Sequence, residues 1–202
     1  ALPVCQTILD VLHRRGVPNY FGPQRFGMRG NSASLGRAIL RRDAEAFVRE
    51  LVGSPHPGET RRVQEARARA DGGDWDGARR IFPGSMVDER NALQALLRSG
   101  GDWNRAYATV PKRLKGFLLS AYQSELFNRV LDARLTALDQ VVAGDLATKH
   151  PGHSIFRVED EAVEQPRAAR FEISPPGPVF GYKMMQPTGR PGELEATILE
   201  GE

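Results

Sequence analysis

Apolar residues in this chain change their spacing once, near residue 139, and that change limits which folds it can adopt. Up to that point they recur every three or four residues, which predicts amphipathic helices. Beyond it they form short β-branched or aromatic runs between Gly and Pro turns, which predict strands. Four such runs occur, at 140–150, 154–160, 169–174 and 179–185. Helices followed by strands favour an α+β fold.

The helical part divides into several predicted segments. A first helix at 4–15 should stop at Gly16, and a second helix or helix pair should span 31–52. The polar residues available to cap the start of the second are Asn31, Ser32 and Ser34. Further helices are expected at 59–70, 76–82, 87–99, 103–108 and 111–135. The last is apolar around most of its circumference, which is typical of a buried helix.

The few cysteines and histidines limit which disulfides and metal sites the chain can form. The single cysteine, Cys5, excludes an intramolecular disulfide and is interpreted as a small core residue. His150 and His153 lie on a Pro-Gly turn without nearby carboxylate or thiol ligands, so a surface turn is favoured and no metal is expected. Because no apolar run has the length of a membrane span and no signal-peptide pattern is present, we expect a cytoplasmic protein without a membrane partner.

Positive charge is concentrated near the amino end. All but four of the 28 cationic residues are arginines, a bias that GC-rich codon usage alone can produce. Their distribution is more informative, because residues 1–42 contain seven arginines and one acid whereas 151–202 contain five cations and nine acids. Arginine binds phosphate bidentately and stacks on bases. The asymmetry therefore predicts a polyanion-binding face near the amino end.

Residues 16–27, with the sequence GVPNYFGPQRFG, are here called the aromatic loop. Its Pro and Gly residues interrupt a helix and its aromatic residues lie too close together to share one strand face, so we predict a shaped loop. Three kinds of group can hold an unstacked base. An aromatic ring stacks on the base, an amide reads its edge, and an arginine binds phosphate. Alternatively, Tyr20 and Phe26 fill the core beneath a turn. Composition alone leaves both interpretations open.

The aromatic loop resembles the signature of the TruD family of RNA pseudouridine synthases, in which Asn-Tyr-Phe-Gly is followed by Gln-Arg-Phe-Gly. Later segments resemble further blocks of that family in the same order, namely FLLSAYQSELFN (117–128), GDLATKH (144–150), EQPRAARFEISPPGPVFG (164–181) and GELEATILE (192–200). The resemblance implies the edge of a pseudouridine synthase catalytic domain at 1–45 and a TruD-type inserted domain, helical and then stranded, at 46–195. Residues 196–202 would start the return to the catalytic domain.

The family isomerises uridine in RNA, typically the thirteenth nucleotide of tRNA, to pseudouridine without a cofactor. The resemblance therefore implies RNA, most simply tRNA, as the partner, with a flipped-out base and an attacking aspartate. Family members carry that aspartate in a Lys-Asp-Lys-like motif upstream of the loop. No Lys-Asp pair occurs here, so we expect the nucleophile outside this chain.

The aspartates of this chain have simpler interpretations. Asp145 is the best placed by motif, but it lies in a Gly-Asp pair typical of a turn. Asp74, Asp76 and Asp102 stand at predicted helix starts, where carboxylates cap. No residue of this chain is therefore assigned as catalytic.

By resemblance, four residues of the aromatic loop form the substrate-binding set. Asn19 would orient the loop or contact the target base, and Phe21 would stack near the flipped uridine. Arg25 would meet the RNA backbone, and Gln24 is a weaker candidate. The alternative is a non-catalytic tRNA-binding module that lacks the nucleophile, and a scaffold for protein contacts is a third hypothesis.

Other residues are expected to shape the loop or to flank it. Tyr20 and Phe26 are expected to pack, and Gly22 and Gly27 to allow positive φ and close backbone approach. Further contacts to the RNA backbone are expected from Arg29, Arg37, Arg41 and Arg42.

Overall fold

The computed structural model of the protein describes residues 2–201 and forms two compact units. The helical unit is Gly22–Ser124, and the mixed unit combines the residues up to Phe21 with those from Glu125 onward. The division falls within one long helix. The domain limits implied by the family resemblance, after residues 45 and 195, do not coincide with these units and stay a prediction.

The helical unit begins with a turn of 3₁₀ helix, Pro23–Phe26, and continues as short α-helices. After α1 (Leu2–Arg15), which belongs to the mixed unit, the helices are α2 (Ser32–Leu40), α3 (Ala44–Val52), α4 (Arg61–Asp71), α5 (Trp75–Ile81), α6 (Val87–Ser99), α7 (Trp103–Ala108) and α8 (Lys112–Arg134). The unit contains α8 as far as Ser124. The helices predicted between residues 59 and 135 are confirmed to within two residues at each end.

Side-chain caps explain where several of these helices begin. Asp43, Thr60, Asp74 and Asp102 each accept a hydrogen bond from a backbone N–H in the first turn of α3, α4, α5 and α7. Such a cap stabilises a helix start by about 0.5–2 kcal/mol. The capping predicted for Asp74 and Asp102 is confirmed, whereas Asp76 lies inside the first turn of α5.

The segment predicted as a helix or helix pair is a pair. Arg42 adopts a left-handed conformation with φ 57°, and the Asp43 N–H donates back to the Ala38 carbonyl at 3.0 Å. This turn satisfies carbonyls at the end of α2 and redirects the chain into α3.

One apolar cluster joins the helices of this unit. Its largest fully buried apolar side chains are Phe47, Val48, Phe82, Leu93 and Leu96. Helix α2 approaches α8 closely at Gly36, where a Cβ atom would lie 2.2 Å from the Leu118 carbonyl oxygen. A side chain at this position would therefore force the two helices apart.

The helical unit also buries a charge. Arg67 is 1% exposed, and its Nε donates to the two carboxylate oxygens of Glu59 at 2.9 and 2.8 Å. Its Nη1 donates to the Leu51 carbonyl at 2.7 Å, and its Nη2 lies 3.6 Å from the carboxylate of Glu89. Burial raises the pKa of Glu89. The buried guanidinium is thus paired and hydrogen-bonded, the condition under which proteins tolerate a buried charge.

The mixed unit contains α1, three short strands and two further helices. The strands are β1 (Leu146–Lys149), β2 (Ile155–Arg157) and β3 (Ile173–Ser174), and the helices are α9 (Glu161–Ala169) and α10 (Gly189–Glu200). The sheet has the order β2-β1-β3 with both pairs antiparallel. Ala147 pairs with Phe156, and Thr148 pairs with Ser174. The apolar cluster beside the sheet consists of Val141, Ala147, Val158, Ala168 and Ile173.

The strand prediction is correct for three runs and wrong for the fourth. Residues 179–185 form no strand, and the chain forms α9 and α10 at 161–169 and 189–200, which apolar spacing did not predict. Asp160 starts α9 by accepting a hydrogen bond from the Ala162 N–H at 2.8 Å. Short apolar runs do not by themselves distinguish a strand from irregular chain, because a strand also needs a partner.

Helix α1 ends where the sequence predicts but buries none of its residues. The Gly16 N–H bonds to the Leu12 carbonyl at 2.9 Å, and Gly16 has φ 79°. The interpretation of Cys5 as a core residue is wrong, because Cys5 is exposed. Arg15 anchors the helix end by donating to the carboxylate of Asp139 at 2.9 Å.

The long helix α8 differs from the buried helix that its composition predicts. Its buried apolar residues form one stripe, Leu118, Ala121, Tyr122, Leu126 and Val130. Phe117, one of the apolar residues expected to be buried, is 42% exposed, so the prediction is wrong for this part of the helix. Along residues 2–201, no helix combines the length and apolar character needed to cross a membrane.

Candidate functional site

The backbone of the aromatic loop is irregular except for the 3₁₀ turn at Pro23–Phe26, which has Pro at its start. Gly27 has φ 77°, and a Cβ there would lie 3.1 Å from the Ser32 Oγ, so the predicted need for glycine is confirmed at this position. Gly22 has φ −76° and open space where a Cβ would be. The prediction of positive φ at Gly22 is therefore wrong, and close backbone approach there stays a prediction.

In the mixed unit, a side chain of α8 holds the Phe21 backbone. The Phe21 N–H donates to Asn128 Oδ1 at 2.9 Å, and Asn128 Nδ2 donates to the Phe21 carbonyl at 2.9 Å. One side-chain amide therefore satisfies both polar groups of the residue, as a neighbouring strand would. The segment is fixed without a sheet.

The two aromatic side chains next to this anchor are also held. The Tyr20 hydroxyl donates to Asp132 Oδ1 at 2.6 Å, and this hydrogen bond raises the pKa of Tyr20. The Phe21 ring meets the Phe127 ring edge-on, with centroids 5.2 Å apart and planes at 78°. Phe127 itself lies against the backbone at Gly177, where a Cβ would come within 2.2 Å of the ring.

These contacts leave the predicted base-binding groups accessible. Phe21 is 38% exposed, Tyr20 is 37% exposed, and Asn19 is also exposed. The alternative interpretation, in which Tyr20 fills the core, is wrong. Tyr20 lies at the surface, where its hydroxyl donates a hydrogen bond to Asp132. Phe26 is half-buried, in agreement with a packing role.

In the helical unit, two serines of α8 hold Arg25. Its Nε donates to Ser124 Oγ at 3.1 Å and its Nη2 donates to Ser120 Oγ at 2.8 Å. Each serine donates its own hydroxyl back to a helix carbonyl, that of Ser120 for Ser124 and that of Phe117 for Ser120. Arg25 is half-buried, and the neighbouring Gln24 is exposed.

The residues that hold the aromatic loop were not singled out as functional from the sequence. Two serines, an asparagine and an aspartate do so, and they recur every four residues along α8, at Ser120, Ser124, Asn128 and Asp132. Polar side chains at this interval on a largely apolar helix were the available signal. Their partners lie about a hundred residues earlier in the chain, so spacing alone could not identify them.

The four flanking arginines occupy different environments. Arg29 donates to the carbonyls of Glu50, Gly53 and Ser54 at 3.0, 2.8 and 3.2 Å, and to that of Leu51 at 3.3 Å. Its side chain is 11% exposed, and burial lowers its pKa. Its placement therefore favours capping the end of α3.

The other three arginines belong to the end of α2 and the turn after it. Arg37 is half-buried, and Arg41 and Arg42 are exposed. Of the four, Arg41 and Arg42 are thus the most accessible to a polyanion.

Asp145 forms a buried ion pair in the mixed unit. It is 1% exposed and bonds Arg134 Nη1 and Nη2 at 2.5 and 2.9 Å. The turn predicted at Gly-Asp is present, since the Asp145 N–H bonds to the Val142 carbonyl at 3.0 Å. Burial raises the pKa of the nearby Glu195 to about 7, with Arg134 opposing and Asp145 adding to the shift. An aspartate committed to arginine in this way is a structural residue.

Comparison with known proteins identifies one family along the whole chain. The family model for TruD, tRNA pseudouridine synthase D, matches residues 1–202. The tRNA pseudouridine synthase D of Geobacter sulfurreducens is 48% identical over 195 residues, and that of Geobacter metallireducens is 45% identical over 202 residues. These matches cover 96% and 100% of this chain but 48% and 50% of the relatives. The chain therefore spans about half the length of the curated relatives it matches.

A solved structure supports the same relationship. The crystal structure of a Methanosarcina mazei protein described as a tRNA pseudouridine synthase D has a TM-score of 0.85 and 25% sequence identity to this chain. The match covers 98% of this chain and 48% of the other.

Proposed function

The chain belongs to the TruD family, tRNA pseudouridine synthase D, and from that membership we propose that it is part of an enzyme that isomerises uridine in tRNA to pseudouridine. The target we propose is uridine 13, reached by base flipping. The observation that supports this function best is the Phe21 ring, which is exposed while Asn128 holds the backbone that carries it.

The proposed role of Phe21 is to receive the flipped base. A base that leaves the stack loses its neighbours, and an aromatic ring can restore about 1–3 kcal/mol of stacking. Because Asn128 fixes the backbone and Phe127 supports the ring edge, Phe21 offers this surface before RNA binds. Asn19, exposed two residues earlier, would contact the polar edge of the base.

The bond exchange itself is assigned to an aspartate outside this chain. In the isomerisation, the bond from ribose C1′ to uracil N1 breaks and a bond from C1′ to C5 forms, while the proton on C5 leaves and N1 takes up a proton, so the product is an isomer and no cofactor is needed. Residues of this chain would hold the base while it turns. The chain alone is therefore expected to bind tRNA without converting it.

The proposed RNA-backbone contacts come from the exposed or half-exposed cations. They are Arg25, Arg37, Arg41 and Arg42, with Gln24 beside Arg25. Arg29 is not proposed as an RNA contact, because it donates hydrogen bonds to the carbonyls at the end of α3. Residues 46–195 would form the inserted domain that helps to grip the RNA. A cytoplasmic location would follow from a tRNA substrate.

A pseudouridine assay on an unmodified tRNA transcript tests this function. The chain extended at both ends to the length of its relatives should form pseudouridine, and Phe21→Ala in that protein should slow turnover by about 5- to 100-fold, the equivalent of lost stacking. Tyr182→Ala, which removes a ring that is 93% exposed in the same unit, is the control and should turn over normally.

Two results would contradict the proposal. Normal turnover by Phe21→Ala would remove Phe21 from the site. An extended protein that binds tRNA but forms no pseudouridine would favour the alternative of a tRNA-binding module.

A further inference from the structure

An aromatic residue of α8 is exposed where the sequence predicts burial. Phe117 lies in the helical unit and is 42% exposed. The next residue, Leu118, is only 3% exposed and packs in the apolar cluster instead of Phe117. The Phe117 ring is thus directed away from the apolar cluster, so core packing does not account for it.

This ring is paired with a positioned guanidinium. The Arg25 Cζ atom lies over the Phe117 ring at 5.3 Å from its centroid. The hydrogen bonds to Ser120 and Ser124 hold the guanidinium in place. Both members of the pair are therefore fixed by α8, and cation and ring attract each other.

The surroundings of the pair favour a polyanion. Arg113 is exposed and lies four residues before Phe117, which places both on one face of α8. From Lys112 to Ser124 the helix contains no acidic residue. Gly116, next to Phe117, has open space where a Cβ would be.

We propose that Phe117 and Arg25 form a stacking platform for an unpaired base of bound RNA, with Arg113 contacting the phosphate beside it. This inference rests on the proposed function and adds a second base-binding position to Phe21. Stacking on a ring and a guanidinium needs no hydrogen bond to the base, so the platform accepts any base that is out of the duplex. The platform is therefore expected to bind single-stranded rather than double-helical RNA.

Binding of the 202-residue chain to a short single-stranded oligoribonucleotide containing 2-aminopurine tests the platform. Phe117→Leu keeps an apolar side chain and helix propensity but removes the flat face, and it should weaken binding by at least about fivefold. Quenching of 2-aminopurine by the protein should decrease with it. Phe117→Trp retains the face and should restore both.

The matched control is Tyr182→Leu. Tyr182 is also exposed and also lies beside a cation, Lys183 Nζ, at 5.2 Å from the ring centroid, but it belongs to the mixed unit. This variant should bind the oligonucleotide like the unaltered chain. Unchanged thermal unfolding of Phe117→Leu would show that the helical unit remains folded.

The outcomes separate the platform from the wider function. Equal binding by Phe117→Leu and the unaltered chain would overturn the platform while leaving tRNA binding intact. An equal loss on fully paired RNA would overturn it as well, because a paired base cannot stack there. If the unaltered chain binds no RNA, the platform fails, whereas the proposed function is still decided by the pseudouridine assay on the extended protein.

Discussion

The helical unit and the mixed unit differ in how much they depend on caps and apolar packing and how much on polar contacts to distant backbone. In the helical unit, caps such as Asp74 and Asp102 and one apolar cluster determine short helices. The mixed unit has strands of two to four residues, and its side chains bond backbone more than a hundred residues away, as Asn128 does at Phe21. The proposed base-binding segment therefore depends on distant polar contacts rather than on local propensity.

The largest expected effect tests the interior of the helical unit. Arg67→Ala should destabilise this unit by about 3–5 kcal/mol, because it leaves the buried carboxylate of Glu59 without its partner. Urea unfolding followed by circular dichroism measures the change. Arg69→Ala, which removes solvent-exposed pairs with Glu65 and Asp74, should cost far less stability than Arg67→Ala. Equal losses in the two variants would contradict the distinction between buried and exposed pairs.

The same contrast between local and distant contacts explains what could be predicted from the sequence. Helices α4 to α8 were predicted closely because caps and apolar spacing are local signals. The irregular chain at 179–185 was predicted as a strand, because pairing with distant residues decides between strand and coil and spacing does not show it. At the site, Asn19 and Phe21 came from the family signature. Phe117 was assigned to the core because spacing cannot show which residue of an apolar helix faces outward.

The polar anchor of the mixed unit gives the second prediction. Asn128→Ala removes both hydrogen bonds to the Phe21 backbone and should weaken that contact by about 1–3 kcal/mol. Hydrogen exchange at the Phe21 amide should speed up about tenfold for each 1.4 kcal/mol lost. Asn104→Ala, at an exposed position on α7, should leave that amide unchanged. Unaltered protection in Asn128→Ala would show that the segment is held by something else.

The arginines that flank the loop are expected to have two different roles. Arg29 stabilises the fold, whereas Arg41 and Arg42 bind RNA. Replacing both Arg41 and Arg42 by Glu should leave unfolding unchanged and weaken tRNA retention. The slope of log affinity against log salt should fall by about 1.5, because two phosphate contacts are lost. Arg29→Ala should instead destabilise the helical unit, since the carbonyls at Glu50 and Gly53 lose their donor. If the double variant unfolds more easily than the unaltered chain, Arg41 and Arg42 stabilise the fold, which would contradict the prediction.

The smallest expected effect concerns Glu195 of the mixed unit. Its pKa is raised to about 7, mainly by burial, so between its ordinary value near 4.5 and pH 7 the folded state binds more protons than the unfolded state. The free energy of unfolding should therefore fall as pH rises through that range. Because the carboxyl is only half-buried, solvent screening should keep the loss below about 1 kcal/mol. Glu195→Gln should remove this component, and a wild-type minus variant difference that stays constant from about pH 4.5 to 7 would show that the group is ordinarily ionised in the fold.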